Sequence, residues 1–232
     1  EEPGEVNLHI ISAWVREDGI SIGQIKTEEK SNEITAIPKM LDTLDIKRAT
    51  VTIDAMGYQV DIAEEIVSCE AVYLLALKNN QPNLYESVEE YFKWARTEPI
   101  EKKQLKEYRY EEHEHGRHIY RSVEVCNDVS WIETVREWKP LSSIICVTRK
   151  GEREGRQTEE TAYYISSREW EAEEVAKCIQ GHWSIENNLH WSLDTVFNED
   201  ESQIYRGHAQ ENLSIVRKIA QGLLKSETTF KG

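Results

Sequence analysis

Apolar and polar positions recur at two periods along the chain. Leu8–Val15 and Ile20–Lys26 are rich in β-branched and apolar residues and flank Asp18-Gly19. Apolar runs around Asp-Gly predict a β-hairpin. Ile34, Ile37, Leu41 and Leu44 follow at helical spacing, with Ser31 placed to cap the helix and Glu33 in its first turn. Pro38 falls inside that pattern and marks either a kink or the true helix start. Ala49–Asp54 is short and β-branched and runs on into Ala55, Met56 and Gly57, as a buried strand entering a turn does. Asp61–Ser68 predicts a helix with Ile62 and Ile66 inward, Ala71–Leu77 a second buried strand, and Pro82–Arg96 a helix opened by its proline. The order β-β-α-β-α-β-α predicts a mixed sheet with helices on its faces.

The character changes after Pro99. Glu101–Glu107 is highly charged, and the best segments from Tyr108 to Ser167 are short and strand-like: Ile119–Cys126, Ser130–Val135, Ile144–Arg149 and Thr161–Ser166. This tract is expected to form an antiparallel inserted subdomain. Helix resumes at Glu169 and runs, with an interruption, to about Leu193; a last helix covers His208–Lys225.

Composition narrows the class. A chain of 232 residues suits one large domain, or one domain carrying an inserted subdomain. The net charge of −15 argues against nucleic-acid binding by bulk charge, which rests on Lys and Arg neutralising phosphates. It leaves room for a local site, since nucleases cluster carboxylates around metal ions. Cys69, Cys126, Cys146 and Cys178 form no CxxC pair and are expected to be free thiols in a reducing cytoplasm. No apolar run approaches the roughly 18–20 residues of a membrane span. No basic, apolar and small-residue succession of a signal peptide opens the sequence.

Several residues could carry chemistry. Asp54 lies just beyond a predicted buried strand, where open α/β sheets place ligands; the plainer reading is an Asp that starts a turn. On a helix through His182–Asp194, Glu186 shares a face with His182, Leu189 and Leu193. A carboxylate at such a core boundary needs either a cation or hydrogen-bond partners. Asp194, Glu199, Asp200 and Glu201 read first as a solvated loop, and His113, His115 and His118 lack any strong zinc spacing. Trp183 and Trp191 fit core packing or base stacking. Arg206, Arg217, Lys218 and Lys225 could meet phosphates or be ordinary surface charge. There is no Walker loop, GxGxxG, GxSxG or HExxH.

Three stretches together resemble a known family: Ile25–Pro38, Thr52-Ile-Asp-Ala-Met-Gly-Tyr-Gln59, and His182–Asp194 running on to Phe197-Asn-Glu-Asp200. Leu75–Gln81, His115-Gly-Arg117, Tyr163–Ser167 and Arg206-Gly207 support them. The sequence resembles the ISAs1-type insertion-sequence transposases, which include H-repeat-associated proteins, along nearly its whole length and in collinear order.

The resemblance implies a DDE transposase of the IS4-like group with an RNase H-like α/β fold, a mixed sheet with flanking helices interrupted by a β-rich insertion. Residues 1–98 and 168–232 would form the core and 99–167 the insertion. Asp54 matches the second Asp of the metal-binding triad and Glu186 its Glu, in a Trp-Ser-Ile-Glu-Asn context. Two Mg²⁺ or Mn²⁺ ions are expected in the complete site. The partners implied are transposon-end and target double-stranded DNA, with a homodimer on DNA, no membrane, and a cytoplasmic location. Arg117, His182, Arg206, Arg217 and Lys218 are the candidate DNA contacts.

Two departures are visible. The family's first Asp lies in an Asp-Gly-Lys strand ahead of the hairpin. No such strand precedes Leu8, and Asp18 sits in the hairpin turn. Ile179, His182 and Leu193 stand where the wider group has Tyr, Arg and Lys. The sequence is therefore expected to be part of a longer protein and inactive by itself. The alternatives are a decayed, non-catalytic module that binds DNA or protein, and an RNase H-like nuclease acting on RNA or branched DNA.

Overall fold

The computed structural model describes residues 9–27, 33–53, 60–78, 81–98, 105–114, 117–132, 138, 140–153, 156–185, 189, 191–199, 201–202, 204 and 208–227. The hairpin forms as its sequence predicts. Strands β1 (His9–Val15) and β2 (Ile20–Thr27) pair antiparallel, with Ile11 opposite Ile25 and a register shift between Ala13 and Trp14. Gly19 closes the turn at φ +65°, in the left-handed region that glycine enters without strain, and its N–H donates to Val15 O at 2.9 Å. Helix α1 (Glu33–Thr43) packs on β2 through buried Ala36, Ile37, Met40 and Leu41. Pro38 lies within this helix rather than at its start.

Contacts divide the chain into two units, residues 1–45 with 179–232, and residues 46–178. The second unit holds a six-stranded mixed sheet. Its order is β3 (Thr50–Ile53), β4 (Val72–Leu77), β8 (Arg156–Ser166), β7 (Ser143–Arg153), β6 (Arg117–Cys126), β5 (Leu105–Glu114). β3 and β4 are parallel, and every other neighbouring pair is antiparallel. Helix α2 (Val60–Ser68) packs on β4 and α3 (Pro82–Thr97) on β8, so the expected mixed sheet with flanking helices is present. The core runs through Tyr73, Leu74 and Leu75 of β4, Ile144–Val147 of β7 and Tyr163–Ile165 of β8. These continuous apolar runs are what a sheet covered on both faces requires.

Two predicted elements differ. Residues 101–104 lie outside the described residues, while residues 105–107, the end of the charged tract, belong to a ten-residue strand, β5. Its period-two pattern is carried by half-buried Tyr108, Tyr110 and Glu112 against exposed Glu107, Arg109 and Glu111. As an edge strand it tolerates such charge, and Glu112 meets Arg121 of β6 at 2.6 Å. Of the predicted strand Ser130–Val135, residues 130–132 are turn and coil, and the rest lies outside the described residues. Asp128 Oδ1 accepts from the Ser130 N–H and hydroxyl at 3.1 and 2.6 Å, an Asx turn that competes with extended pairing. The four strands from 105 to 166 are antiparallel as expected, and through β8 they share one hydrogen-bonded sheet with β4.

Candidate active site and its flanks

β3 is made entirely of Thr, Val and Ile, which suits an extended strand. Among the described residues β4 alone pairs with it, so it lies at the edge of this sheet and is half-buried rather than fully enclosed. Register sets Ile53 opposite Leu75. Asp54 is joined to Ile53, the last residue of this parallel strand; residues 54–59 lie outside the described residues. The carboxyl end of a parallel strand is where an open α/β sheet offers a ligand site.

Helix α4 (Ala172–Ile185) buries Ala172, Val175, Ala176 and Ile179 along one stripe. Trp170, just before it, is buried and donates its indole N–H to Ser166 Oγ at 2.8 Å; that hydroxyl donates to Tyr73 O at 2.6 Å. Glu186 directly follows Ile185, the last residue of α4, and lies outside the described residues, as do Asn187, Asn188 and His190. Leu189 is buried, and α5 (Trp191–Thr195) turns Leu193 inward while Trp191 is exposed. The two expected acids thus belong to different units and to different element ends.

The expected DNA contacts divide. Arg117 opens β6 with its backbone opposite Glu114. His182 is half-buried in the last turn of α4 and already has a partner. Arg206 lies outside the described residues. Arg217, on α6 (Ala209–Ser226), has a mostly buried side chain whose Nη1 is 3.8 Å from Glu199 Oε1. Lys218 faces inward. It is only 8 % exposed, and its ammonium donates to Ser12 Oγ at 2.6 Å and Gln24 Oε1 at 2.9 Å. Burial pulls its pKa below the ordinary lysine value, against the opposing pull of Glu199. Lys218 ties α6 to the hairpin, so its charge is spent inside the fold.

Among the described residues no three His, Cys, Asp or Glu side chains cluster closely enough to hold a metal ion. Of the histidine trio, His118 Nε2 pairs with Glu111 Oε2 at 3.3 Å, and His115 lies outside the described residues. All four cysteines are free. The carboxylates of Asp54 and Glu186 would offer hard oxygen donors, the chemistry that Mg²⁺ and Mn²⁺ accept. Sequence reading missed the exposed aromatic group on α3, although the spacing of Tyr91 and Trp94 on a helix carried the signal.

A mixed six-stranded sheet with flanking helices is the architecture of an RNase H-like α/β domain, the kind on which DDE transposases are built. The chain belongs to the family described as transposase DDE domain, whose model matches residues 4–223. It is 41% identical over 229 residues to the Putative transposase YncI of Escherichia coli O157:H7, covering 97% of this chain and 58% of that protein. It is 42% identical over 231 residues to the H repeat-associated putative transposase YhhI of Escherichia coli strain K12, covering 97% of this chain and 60% of that protein. The Putative protein YbfL of the same strain matches at 42% over 231 residues, with the same shares. The chain therefore spans about three-fifths of the length of these relatives.

Proposed function

We propose that this chain supplies most of the catalytic core of an ISAs1-type DDE transposase, which cleaves and joins DNA at insertion-sequence ends. The observation that supports this reading is that Asp54 follows Ile53 of β3, a strand parallel to β4, and the carboxyl end of such a strand is where open α/β sheets bind ligands. Asp54 and Glu186 would hold Mg²⁺ or Mn²⁺, two ions in the complete site. Bound there, the metal would supply charge to activate an attacking oxygen and to stabilise a leaving one at a phosphodiester. The protein's own part would be to supply the two carboxylates, one in the residues after β3 and one in the residues after α4.

The substrates would be transposon-end and target duplexes, handled by a homodimer in the cytoplasm. With a net charge of −15, the phosphate contacts must be few and local. Arg117, His182, Arg206 and Arg217 remain the proposed contacts, and Lys218 leaves that set because its ammonium is committed to the hairpin. In the proposed partition, residues 1–98 and 168–232 are core and 99–167 the insertion, which shares the sheet of β3 and β4.

The test uses the longer protein that contains this domain. Asp54→Asn and Glu186→Gln should each lower Mg²⁺-dependent cleavage of end-sequence DNA by more than the roughly hundredfold that outer-shell partners of a metal are worth. The melting temperature without metal should stay in place. Undiminished cleavage by Asp54→Asn would end the assignment. Residues 1–232 contain no Asp-Gly-Lys strand ahead of the hairpin, so this polypeptide alone should not cut.

A further inference from the structure

Helix α3 carries two stripes. Leu84, Val88, Phe92 and Ala95 are buried against the sheet. Asn83, Ser87, Glu90, Tyr91 and Trp94, at the matching offsets on another side, line an open cleft of about 510 Å³ that Trp131 and Ile132 close from the turn after β6. Trp94 and Trp131 are 47 % and 38 % exposed, as against the fully buried Trp138 and Trp170; Trp191, elsewhere in the chain, is also exposed.

The rings are held in place. Tyr91 stacks on Trp131 with centroids 4.7 Å apart and planes 13° apart, and Trp94 lies 5.8 Å from Tyr91 at 47°. The Trp131 indole N–H donates to Asp128 O at 2.8 Å, in the Asx turn. Phe92 meets the edge of Tyr91 at 5.5 Å, tying the shelf to the core. Trp94 and Trp131 are therefore both partly open to solvent while packed against Tyr91.

Charge selects the occupant. Glu90 is the one charged residue among the described residues that line the cleft. The cations of α3 are engaged elsewhere: Lys93 with Glu89 at 3.0 Å, and Arg96 with Glu124 at 3.0 Å. Among the described residues of the lining, a phosphate strand would find aromatic side chains and a carboxylate but no cation, the reverse of a single-strand binding groove. A cation finds both the negative faces of indole rings and a carboxylate. A guanidinium fits better than an ammonium, because it lies flat on an indole while its edge forks onto a carboxylate.

We propose that this cleft binds the guanidinium of an arginine-bearing segment of a partner protein, stacked on Trp94 and Trp131 and paired with Glu90. The site is independent of the acids at 54 and 186, so its failure would leave the transposase reading untouched.

The test titrates the 232-residue chain with acetyl-Gly-Arg-Gly-amide and with its citrulline twin, which keeps the shape and loses the charge. The readout is the indole N–H resonances, assigned with Trp94→Phe and Trp131→Phe. Saturable shifts of the Trp94 and Trp131 signals are expected with arginine, and binding about tenfold weaker with citrulline. Glu90→Gln, an exposed change that leaves the core alone, should weaken arginine binding about tenfold as well. Equal binding of the citrulline peptide, an indifferent Glu90→Gln, or no saturation at all overturns the proposal. So does an oligo-dT that shifts these signals and binds more tightly to Glu90→Gln, which would make the cleft a nucleobase shelf.

Discussion

Cys146 shows how a single side chain is set by its surroundings. Burial raises its thiol pKa to about 12, and the nearby Arg96 guanidinium only partly offsets this. The thiolate is the reactive form, so Cys146 should resist alkylation. At pH 8, iodoacetamide should label half-buried Cys69 and Cys178 first and leave Cys146 intact until urea is added; mass spectrometry of tryptic peptides reads the order. Lys218 makes a second case. Lys218→Met should cost about 1–3 kcal/mol in urea unfolding, since Ser12 and Gln24 lose their shared donor. The sign of its pH effect follows from linkage. The folded pKa is depressed, so between that value and the free value of 10.5 the unfolded chain holds the extra proton. Stability of the native protein relative to Lys218→Met should therefore rise with pH as 10.5 is approached. A difference that falls there would contradict the buried placement.

At the scale of elements, the β5–β6 pair rests on more than its ladder. Arg121 and Glu112 meet at 2.6 Å with side chains only 5 % and 14 % exposed. Glu112→Ala would leave a buried guanidinium without this carboxylate and should cost about 3–5 kcal/mol, measured by urea unfolding. A loss below 1 kcal/mol would mean the pair is solvated. β5 is also where sequence reading stopped short. Its charges hid a period of two that becomes visible only when Tyr108, Tyr110 and Glu112 share a face across from β6. The hairpin, α1, β3, α2, β4 and α3 were legible, because Asp-Gly, β-branched runs and apolar spacing act within a few residues. Residues 130–132 misled because a single Asp128 side chain captured the backbone N–H that a strand would have used.

For the whole molecule, residues 46–178 hold the six-stranded mixed sheet with buried strands and flanking helices of their own. Expressed alone, this unit should melt cooperatively with retained near-ultraviolet signal from buried Trp138 and Trp170. Loss of that signal at all temperatures would show that the sheet needs the rest of the chain. Under the proposed function, DNA binding by the 232-residue chain should show a shallow dependence on salt, because its acidic balance leaves few cations for phosphates. A steep slope would mean that a basic surface had been overlooked. No described helix is long and apolar enough to cross a membrane.

What the sequence determined by itself is local or collinear. It set the order of elements as far as α3, the Asp that follows β3, the Glu that follows α4, and membership of the transposase DDE domain family. Such features are written in neighbouring residues. Tertiary structure decided what depends on distant partners. It joined the strands from 105 to 166 to β4 in one sheet and buried the Lys218 ammonium against a hairpin some two hundred residues earlier. It also set Trp131 beside Tyr91 to make an aromatic shelf. Spacing in one dimension cannot report which side chains meet across a fold, because chain reversal brings them together independently of their separation in sequence.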